Sequence, residues 1–329
     1  MNKLINHTWF VLPLFLCIGC SGESPIPSAD AFDSNISLPI ASLNQGISTR
    51  AAIDEWNATP ISVAYRFEPN LIYAGKLDVT IPDNTGVHLL DTGLDYPSTG
   101  GGDDKVYLRG FYPQAVPDAT TGIVEYDIKE GNVDVMLSDP VSGSKNDPLS
   151  GVAPDVMQFK HLLTRFKFTF KCQPGSNYPN RIAGVFITPK AVTAPIAGVQ
   201  VDLQTGLPRF INPGAIYCTF EDGSIEVPSG GTPAAILDVM IRPNTSFNLG
   251  IVNDDDEMSV TTVTIPAGGA GSVNDIVNNT GGVQGVCYTI ELLFSGAAIS
   301  SGSITAHAWD GGALDITNLN QLNDNNFWH

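Results

Sequence analysis

The chain has 329 residues and a formal net charge of −18, with 43% hydrophobic and 15% charged residues. This hydrophobic content supports a folded core, and the length suits two domains of ordinary size or one large β-sandwich. The charge argues against a nucleic-acid partner, because phosphate binding needs clustered Lys and Arg side chains. With 33 glycines and 23 prolines, the composition favours many short strands joined by turns.

The first 20 residues have the pattern of a secretion signal. Lys3 gives a basic start, and Trp9–Leu16 forms an apolar run that is too short to span a bilayer. Gly19-Cys20 is similar to a bacterial lipobox, in which the cysteine becomes the acylated first residue, although Cys17 replaces the usual leucine. We therefore expect residues 1–20 to be a lipoprotein signal peptide and Cys20 to carry lipid. An ordinary signal peptide that is cut elsewhere is the alternative.

Residues 21–50 predict a polar tether followed by a strand that can be detached. Apolar side chains recur at every second position of that strand: Ile36, Leu38 and Ile40. This period of two is typical of a half-buried strand. Pro39 lacks an amide donor, so the strand is expected at a sheet edge with one side unpaired. After a polar loop comes Arg50-Ala51, where a trypsin-like protease could cleave.

From Trp56 onward the apolar pattern predicts β-strands. Candidate strands of the first domain are 61–67, 76–82, 86–92, 105–113, 124–128, 133–137, 156–171 and the long apolar run 182–201. A turn at Gly206 is predicted to separate an N-terminal β-sandwich domain, 51–206, from a C-terminal one, 207–329. Candidate strands of the second domain are 215–220, 234–241, 246–252, 260–265, 286–294 and 304–309.

Neither the cysteines nor the polar residues form a recognisable reactive site. Cys172, Cys218 and Cys287 are odd in number and widely spaced, so we expect buried thiols and at most one disulfide. No nucleophile elbow, HExxH motif or P-loop is present. His161 is expected to pack or to hydrogen-bond, and the acidic run 253–257 to form a solvated turn rather than a calcium loop. The sequence therefore predicts no catalytic residue, no metal, no cofactor and no enzymatic activity.

Several segments, in order, resemble the fimbrillin family of Bacteroidetes surface proteins. They are the lipobox at Cys20, Thr49-Arg50-Ala51 followed by Trp56, Phe111-Tyr112-Pro113, Val133–Met136, Phe159–Phe166, Cys287–Leu292 and Ile304–Trp309. The segment Phe159–Phe166 is the most specific of these. The resemblance spans nearly the whole chain.

The resemblance implies an all-β protein of two transthyretin-like β-sandwich domains in tandem, serving as a pilus subunit. It also implies an outer-membrane lipoprotein, anchored through Cys20 and exposed at the surface. An arginine-specific protease would cleave between Arg50 and Ala51, and the strand containing Ile36, Leu38 and Ile40 would leave. A strand from another pilin subunit would then replace it within a fimbrium. The polar, asparagine-rich segment 314–329 fits poorly with the movable C-terminal strand expected of a shaft subunit.

Two further classes of function stay open from the sequence. The alternative to a pilus subunit is a lipid-anchored surface protein that never polymerises and binds glycans or host ligands. Exposed aromatic side chains could then stack on sugars, with Tyr96, Trp309 and Trp328 as candidates. A glycoside hydrolase is a third reading, and sequence alone does not reveal its pair of carboxylates.

Overall fold

The computed structural model describes residues 35–43, 56–175, 181–220, 223–228, 236–254, 258–263, 271–272, 282, 284–295 and 298–309. Within these ranges the fold is all-β, as predicted, and the helical element is one 3-10 turn, Thr99–Gly102. The strands are β1 (Asn35–Ala41), β2 (Thr59–Phe67), β3 (Gly75–Ile81), β4 (Val87–Asp95), β5 (Val106–Tyr112), β6 (Ile123–Asp127), β7 (Met136–Ser138), β8 (Val141–Gly143), β9 (Phe159–His161), β10 (Thr164–Cys172), β11 (Arg181–Pro189), β12 (Pro195–Asp202), β13 (Pro208–Pro213), β14 (Ile216–Thr219), β15 (Ile225–Glu226), β16 (Ile236–Ile241), β17 (Phe247–Asn253), β18 (Met258–Val263), β19 (Gly271–Ser272), β20 (Val286–Ser295) and β21 (Ala298–Ala308).

A central sheet with both faces covered organises the N-terminal part of the fold. Its strand order is β3-β2-β5-β7-β9, and β8 also pairs with β5. On one face, where Val63 points, lies the two-stranded sheet of β1 and β4. On the other face, where Ala64 points, lies the sheet β13-β12-β6. This arrangement follows from the period of two, which sends neighbouring side chains of β2 into different cores.

Two further sheets enclose a separate core. One has the order β16-β10-β20-β21-β19 and the other the order β14-β11-β17-β18, with β15 beside β11. Strand β10 runs parallel to β20 and antiparallel to β16. Its side chains Phe166, Phe168 and Phe170 are fully buried and pack against residues of both sheets. Aromatic side chains at alternate positions thus form the centre of this sandwich.

Two of the hydrophobic cores contain residues from both sides of Gly206, where the sequence predicted a domain boundary. Phe166 and Val185 precede Gly206, yet they pack in one core with Val239 and Ile290. Trp309, at the far end of the described chain, packs in the core formed by the central sheet and β13-β12-β6. The division into domains 51–206 and 207–329 stays a prediction.

Arg109 joins the central sheet to the turn that follows β12. This buried side chain donates from Nε to Ser138 O at 3.1 Å and from Nη1 to Leu203 O at 2.7 Å. Gly206 has a φ of +77°, and a Cβ there would lie 2.7 Å from Nη2 of the arginine. Only glycine therefore suits this turn, for reasons of both backbone conformation and space.

The strand boundaries depart from the sequence pattern at several places. The apolar run 182–201 forms two strands, β11 and β12, separated by a turn between Pro189 and Pro195. Strand β13 was not predicted, because prolines at both of its ends resemble turn residues. On β10, Thr169 is buried and Lys171 pairs with Glu291. The face of β10 that carries Thr169 and Lys171 is therefore only partly exposed to solvent.

Candidate functional site

Strand β1, predicted to be removable, forms part of the core between the central sheet and the sheet of β1 and β4, which we call the first core. Ile36, Leu38 and Ile40 are 0% exposed, and they pack with Val63 and Leu108 of the central sheet. Burying three aliphatic side chains stabilises this packing by about 5–9 kcal/mol, at roughly 1.5–3 kcal/mol for each. Loss of the strand would leave an apolar groove between β4 and the central sheet.

One long edge of β1 forms an antiparallel ladder with β4. Leu38 lies opposite Leu90, and Ala41 lies opposite Val87, with an irregularity near Asn35. The exposure of β4 alternates along its length, and Leu89 is 63% exposed. Strand β4 therefore supplies main-chain pairing for β1, and its inward side chains flank the first core.

The opposite edge of β1 is bridged to Met157. Ala41 N donates to Met157 O at 3.0 Å, and Met157 N donates to Pro39 O at 2.9 Å. The prediction of a wholly unpaired side is therefore wrong at this point. Pro39 has no amide hydrogen, but its carbonyl oxygen still accepts a hydrogen bond.

Side chains of β4 fasten the N-terminal end of β1. Thr92 Oγ1 donates to Ile36 O at 2.7 Å, and Asn35 Nδ2 donates to Asp91 Oδ1 at 2.7 Å. The main-chain N–H of Gly93 also donates to Asp91 Oδ1. These two hydrogen bonds, with that from Gly93 the larger effect, hold the pKa of Asp91 below its usual value.

Two side chains hold the C-terminal end of the strand. Trp56 is buried, donates from Nε1 to Ala41 O at 3.0 Å and packs edge-to-face on Phe159. Asn84 accepts from Leu43 N at 2.6 Å and donates to Leu43 O at 2.5 Å. Because these anchors lie after the strand in sequence, they would stay behind with the groove if β1 left.

The predicted lipidation and cleavage positions lie outside the described residues. Cys20 falls in the segment 1–34, and Arg50 and Ala51 fall in the segment 44–55. Of the residues predicted from sequence to act in processing, the structure brings together Ile36, Leu38 and Ile40 on one buried face. It adds Trp56, Asn84, Thr92 and Met157 as their neighbours, which sequence reasoning missed.

The three cysteines outside the signal segment are buried thiols, as expected. Burial raises the pKa of Cys172, and it raises that of Cys218 to about 12. Within the described residues, no group of three or more His, Cys, Asp and Glu side chains is arranged to hold a metal ion. The same residues include no helix with the length and apolarity needed to cross a membrane.

His161 has the packing and hydrogen-bonding role that its sequence context predicted. Its Nδ1 lies 3.0 Å from Asp134 Oδ1, and its ring stacks on Trp309 with centroids 4.2 Å apart. Trp309 is buried, and so is Tyr96, whose hydroxyl group accepts a hydrogen bond from Leu149 N. Neither ring can stack on a sugar in this structure. Trp328, the third candidate, lies outside the described residues.

Similarity to proteins of known structure is found at the level of the fold. No protein-family model and no curated protein sequence matches the chain. Similar solved structures include putative cell adhesion proteins from Bacteroides uniformis, with a TM-score of 0.57, and Bacteroides ovatus, with a TM-score of 0.51. Both are 15% identical; each alignment covers 84% of this chain, with 100% of the first and 98% of the second.

A further match is the tip fimbrial protein Mfa3 from Porphyromonas gingivalis with C-terminal truncation. It has a TM-score of 0.41 and 10% identity, and the alignment covers 84% of this chain and 100% of that one. At an identity of 15%, the likeness to the two Bacteroides structures is one of fold. The protein thus shares its all-β sandwich fold with Bacteroides structures described as cell adhesion proteins, in agreement with the fimbrillin resemblance of its sequence.

Proposed function

We propose that the protein is a structural or accessory subunit of a cell-surface pilus, assembled by donor-strand exchange and supporting adhesion. It is exported as a lipoprotein acylated at Cys20 and held at the outer membrane. An arginine-specific surface protease then cleaves between Arg50 and Ala51. Strand β1 leaves, and a strand from another pilin subunit takes its place in the fimbrium.

The observation that carries this proposal is the position of β1. The strand is fully buried on its core face, yet it is fastened by one ladder to β4 and by a two-bond bridge to Met157. Among the described residues, everything that contacts the strand comes from later in the chain, so the part of the fold that holds it would stay covalently intact after cleavage. The vacated groove would retain an unpaired β4 edge and an apolar floor.

Energetics favour replacement of the strand over an empty groove. The buried face of β1 contributes about 5–9 kcal/mol by the transfer of three aliphatic side chains from water. A donor strand with apolar residues at alternate positions would recover most of this stabilisation, together with the main-chain hydrogen bonds. Cleavage makes exchange between chains effectively irreversible, because the excised strand is no longer covalently joined to the subunit and loses its intramolecular advantage over a donor strand.

Assembly of a processed variant tests the proposal. Protein spanning residues 21–329 is treated with trypsin, and polymers are followed by size-exclusion chromatography and electron microscopy. The wild-type chain should polymerise after cleavage, whereas Arg50→Ala should stay monomeric. Lys145→Ala, at another exposed basic residue, is the matched control and should polymerise normally. Polymers of Arg50→Ala that still contain residues 36–41 would contradict the mechanism.

The non-polymerising glycan-binding alternative loses two of its three aromatic candidates, since Tyr96 and Trp309 are buried. A chain that stays monomeric after complete cleavage at Arg50 would revive it.

A further inference from the structure

A cleft opens on the N-terminal part of the fold, away from the β1 groove. It lies between the loop that follows β2 and the chain that enters β5, and its volume is about 470 Å³. That size falls within the usual range for small-molecule sites, about 300–1,000 Å³. Its lining residues are Arg66, Glu68, Pro69, Leu71, Asp104 and Tyr107.

The polar wall of the cleft is fixed by its own contacts. Glu68 accepts from Tyr107 Oη at 2.8 Å and from Lys105 N at 3.1 Å. These bonds lower the pKa of Glu68, the one from Lys105 N most, so its carboxylate is ionised at neutral pH. Arg66 donates from Nη1 to Asn70 O at 2.7 Å. The donors and acceptors are therefore in place before a ligand arrives, which limits the entropic cost of binding.

The guanidinium group of Arg66 lies 3.7 Å from the centroid of the Tyr107 ring. This stacking orients the arginine and covers one face of the ring. Nε of Arg66 is buried and makes no hydrogen bond to any described residue. Asp104 is half-buried on the same lining. Charged donors and acceptors thus stand side by side.

Leu71 gives the cleft an apolar side. Its side chain is 73% exposed and is therefore open to contact with a ligand. A ligand that covers Leu71 while hydrogen-bonding to Asp104 and Arg66 must have one apolar face and several polar edges. The ring of a pyranose sugar has this shape, with C–H groups on its faces and hydroxyl groups around its rim.

The charged side chains that line the cleft further restrict the class of ligand that it could bind. The lining carries one cationic and two anionic side chains, and the chain as a whole has a net charge of −18. An anionic ligand is disfavoured in this field. Neutral hydroxyl groups can donate to a carboxylate and accept from a guanidinium, and such charge-assisted hydrogen bonds are the stronger kind. We propose that this cleft binds a neutral saccharide unit.

Binding to a glycan array tests the site. Fluorescently labelled, uncleaved protein is applied to neutral oligosaccharides of glucose, galactose, mannose and N-acetylglucosamine, with sialylated counterparts and spermine as competitors. Binding to at least one neutral glycan is expected, and isothermal titration calorimetry then gives its Kd. Asp104→Ala should raise the Kd about tenfold or more, as expected for loss of a hydrogen bond to a charged group. Leu71→Ser should raise it roughly fivefold through lost apolar contact.

Two control variants are needed. The first distinguishes binding of a neutral ligand from binding of a cationic one, and the second distinguishes a loss of affinity at the cleft from a change in the whole protein. Asp104→Asn keeps polar atoms that can bind a hydroxyl group, so it should weaken sugar binding less than Asp104→Ala does. Val192→Ser, at an exposed apolar residue outside the cleft, should leave the Kd unchanged. Absence of binding to every neutral glycan, equal loss in both Asp104 variants with displacement by spermine, or binding insensitive to Asp104 and Leu71 would each overturn the proposal. These measurements use unassembled protein, so they are independent of polymerisation.

Discussion

Arg109 shows how one buried cation can be held by main-chain oxygens. Its guanidinium group donates to the carbonyl oxygens of Ser138, on strand β7, and of Leu203, in the turn after β12. Arg109→Met keeps much of the side-chain length and removes these donors. We expect the free energy of unfolding to fall by about 2–4 kcal/mol, since carbonyl groups buried without partners are costly. Chemical denaturation measures this change, with exposed Arg209→Met as the control. Equal stability of both variants would contradict the role given to Arg109.

The buried thiols lead to a second expectation at the scale of residues. Burial raises the pKa of Cys172 and Cys218, which lowers the thiolate fraction as well as access of reagents. In protein spanning residues 21–329, a thiol reagent at pH 8 should therefore label none of the three cysteines while the chain is folded. All three should react after denaturation. Fast labelling of the native protein would show that the sandwich around Phe166, Phe168 and Phe170 (the second sandwich) opens readily.

The hydrogen bonds of Asp91 at the N-terminal end of β1 should stabilise the protein to an extent that depends on pH. Its pKa is lowered in the folded protein by hydrogen bonds from Gly93 N and Asn35 Nδ2. A lowered carboxyl pKa gives stability that is complete above the unfolded value and is lost as pH falls through the folded value. The contribution of Asp91 to thermal stability should thus be complete and independent of pH between pH 5 and 8, and it should be lost as the pH falls below about 3.8. In Asn35→Ala, the acid-side loss should be smaller; an unchanged profile would contradict this assignment.

At the scale of elements, the apolar face of β1 should determine the stability of the unprocessed protein. Leu38→Ala leaves a cavity in the first core, and we expect a loss of about 2–5 kcal/mol in the free energy of unfolding. Leu89→Ala, on the neighbouring strand but 63% exposed, should cost far less. Similar losses in the two variants, measured by chemical denaturation, would show that β1 is not an integral part of the core.

Trp56 should report whether β1 is present. Its indole Nε1 is bonded to Ala41 O, and the ring is buried with the strand in place. Cleavage and release of β1 should expose the indole and shift its emission to longer wavelength. A donor strand that fills the groove should reverse the shift. Trp56→Phe should abolish both changes, and emission of the wild type that stays constant through release would place Trp56 outside the groove.

The sequence reveals some of these elements better than others. Apolar side chains at every second position, such as Ile36, Leu38 and Ile40, predict a strand because a sheet with one buried face requires that period. The same logic identifies Phe166, Phe168 and Phe170 as core. The side-chain pattern does not predict the bridge between β1 and Met157, because both of its hydrogen bonds join main-chain atoms of residues far apart in the chain. Arg66 and Tyr107 likewise meet only because β2 and β5 pair.

At the scale of the whole molecule, the described residues form three hydrophobic cores. The first core includes β1, whereas the core around Phe166 involves neither β1 nor β4. Loss of β1 should therefore open one groove without unfolding the second sandwich. The saccharide cleft lies beside β2 and β5 and is formed by residues that stay in the chain after cleavage. Strand exchange and ligand binding thus involve separate surfaces of the proposed subunit.

The N-terminal residue of the assembled, surface-located protein tests the central claim most directly. Fibres are sheared from cells and purified, and the subunit is sequenced from its N-terminus. Donor-strand exchange predicts Ala51 as the first residue, with no peptide from the segment 36–41 in the fibre. Assembled subunits that begin at Cys20 and keep an intact Arg50 would contradict the removal of β1.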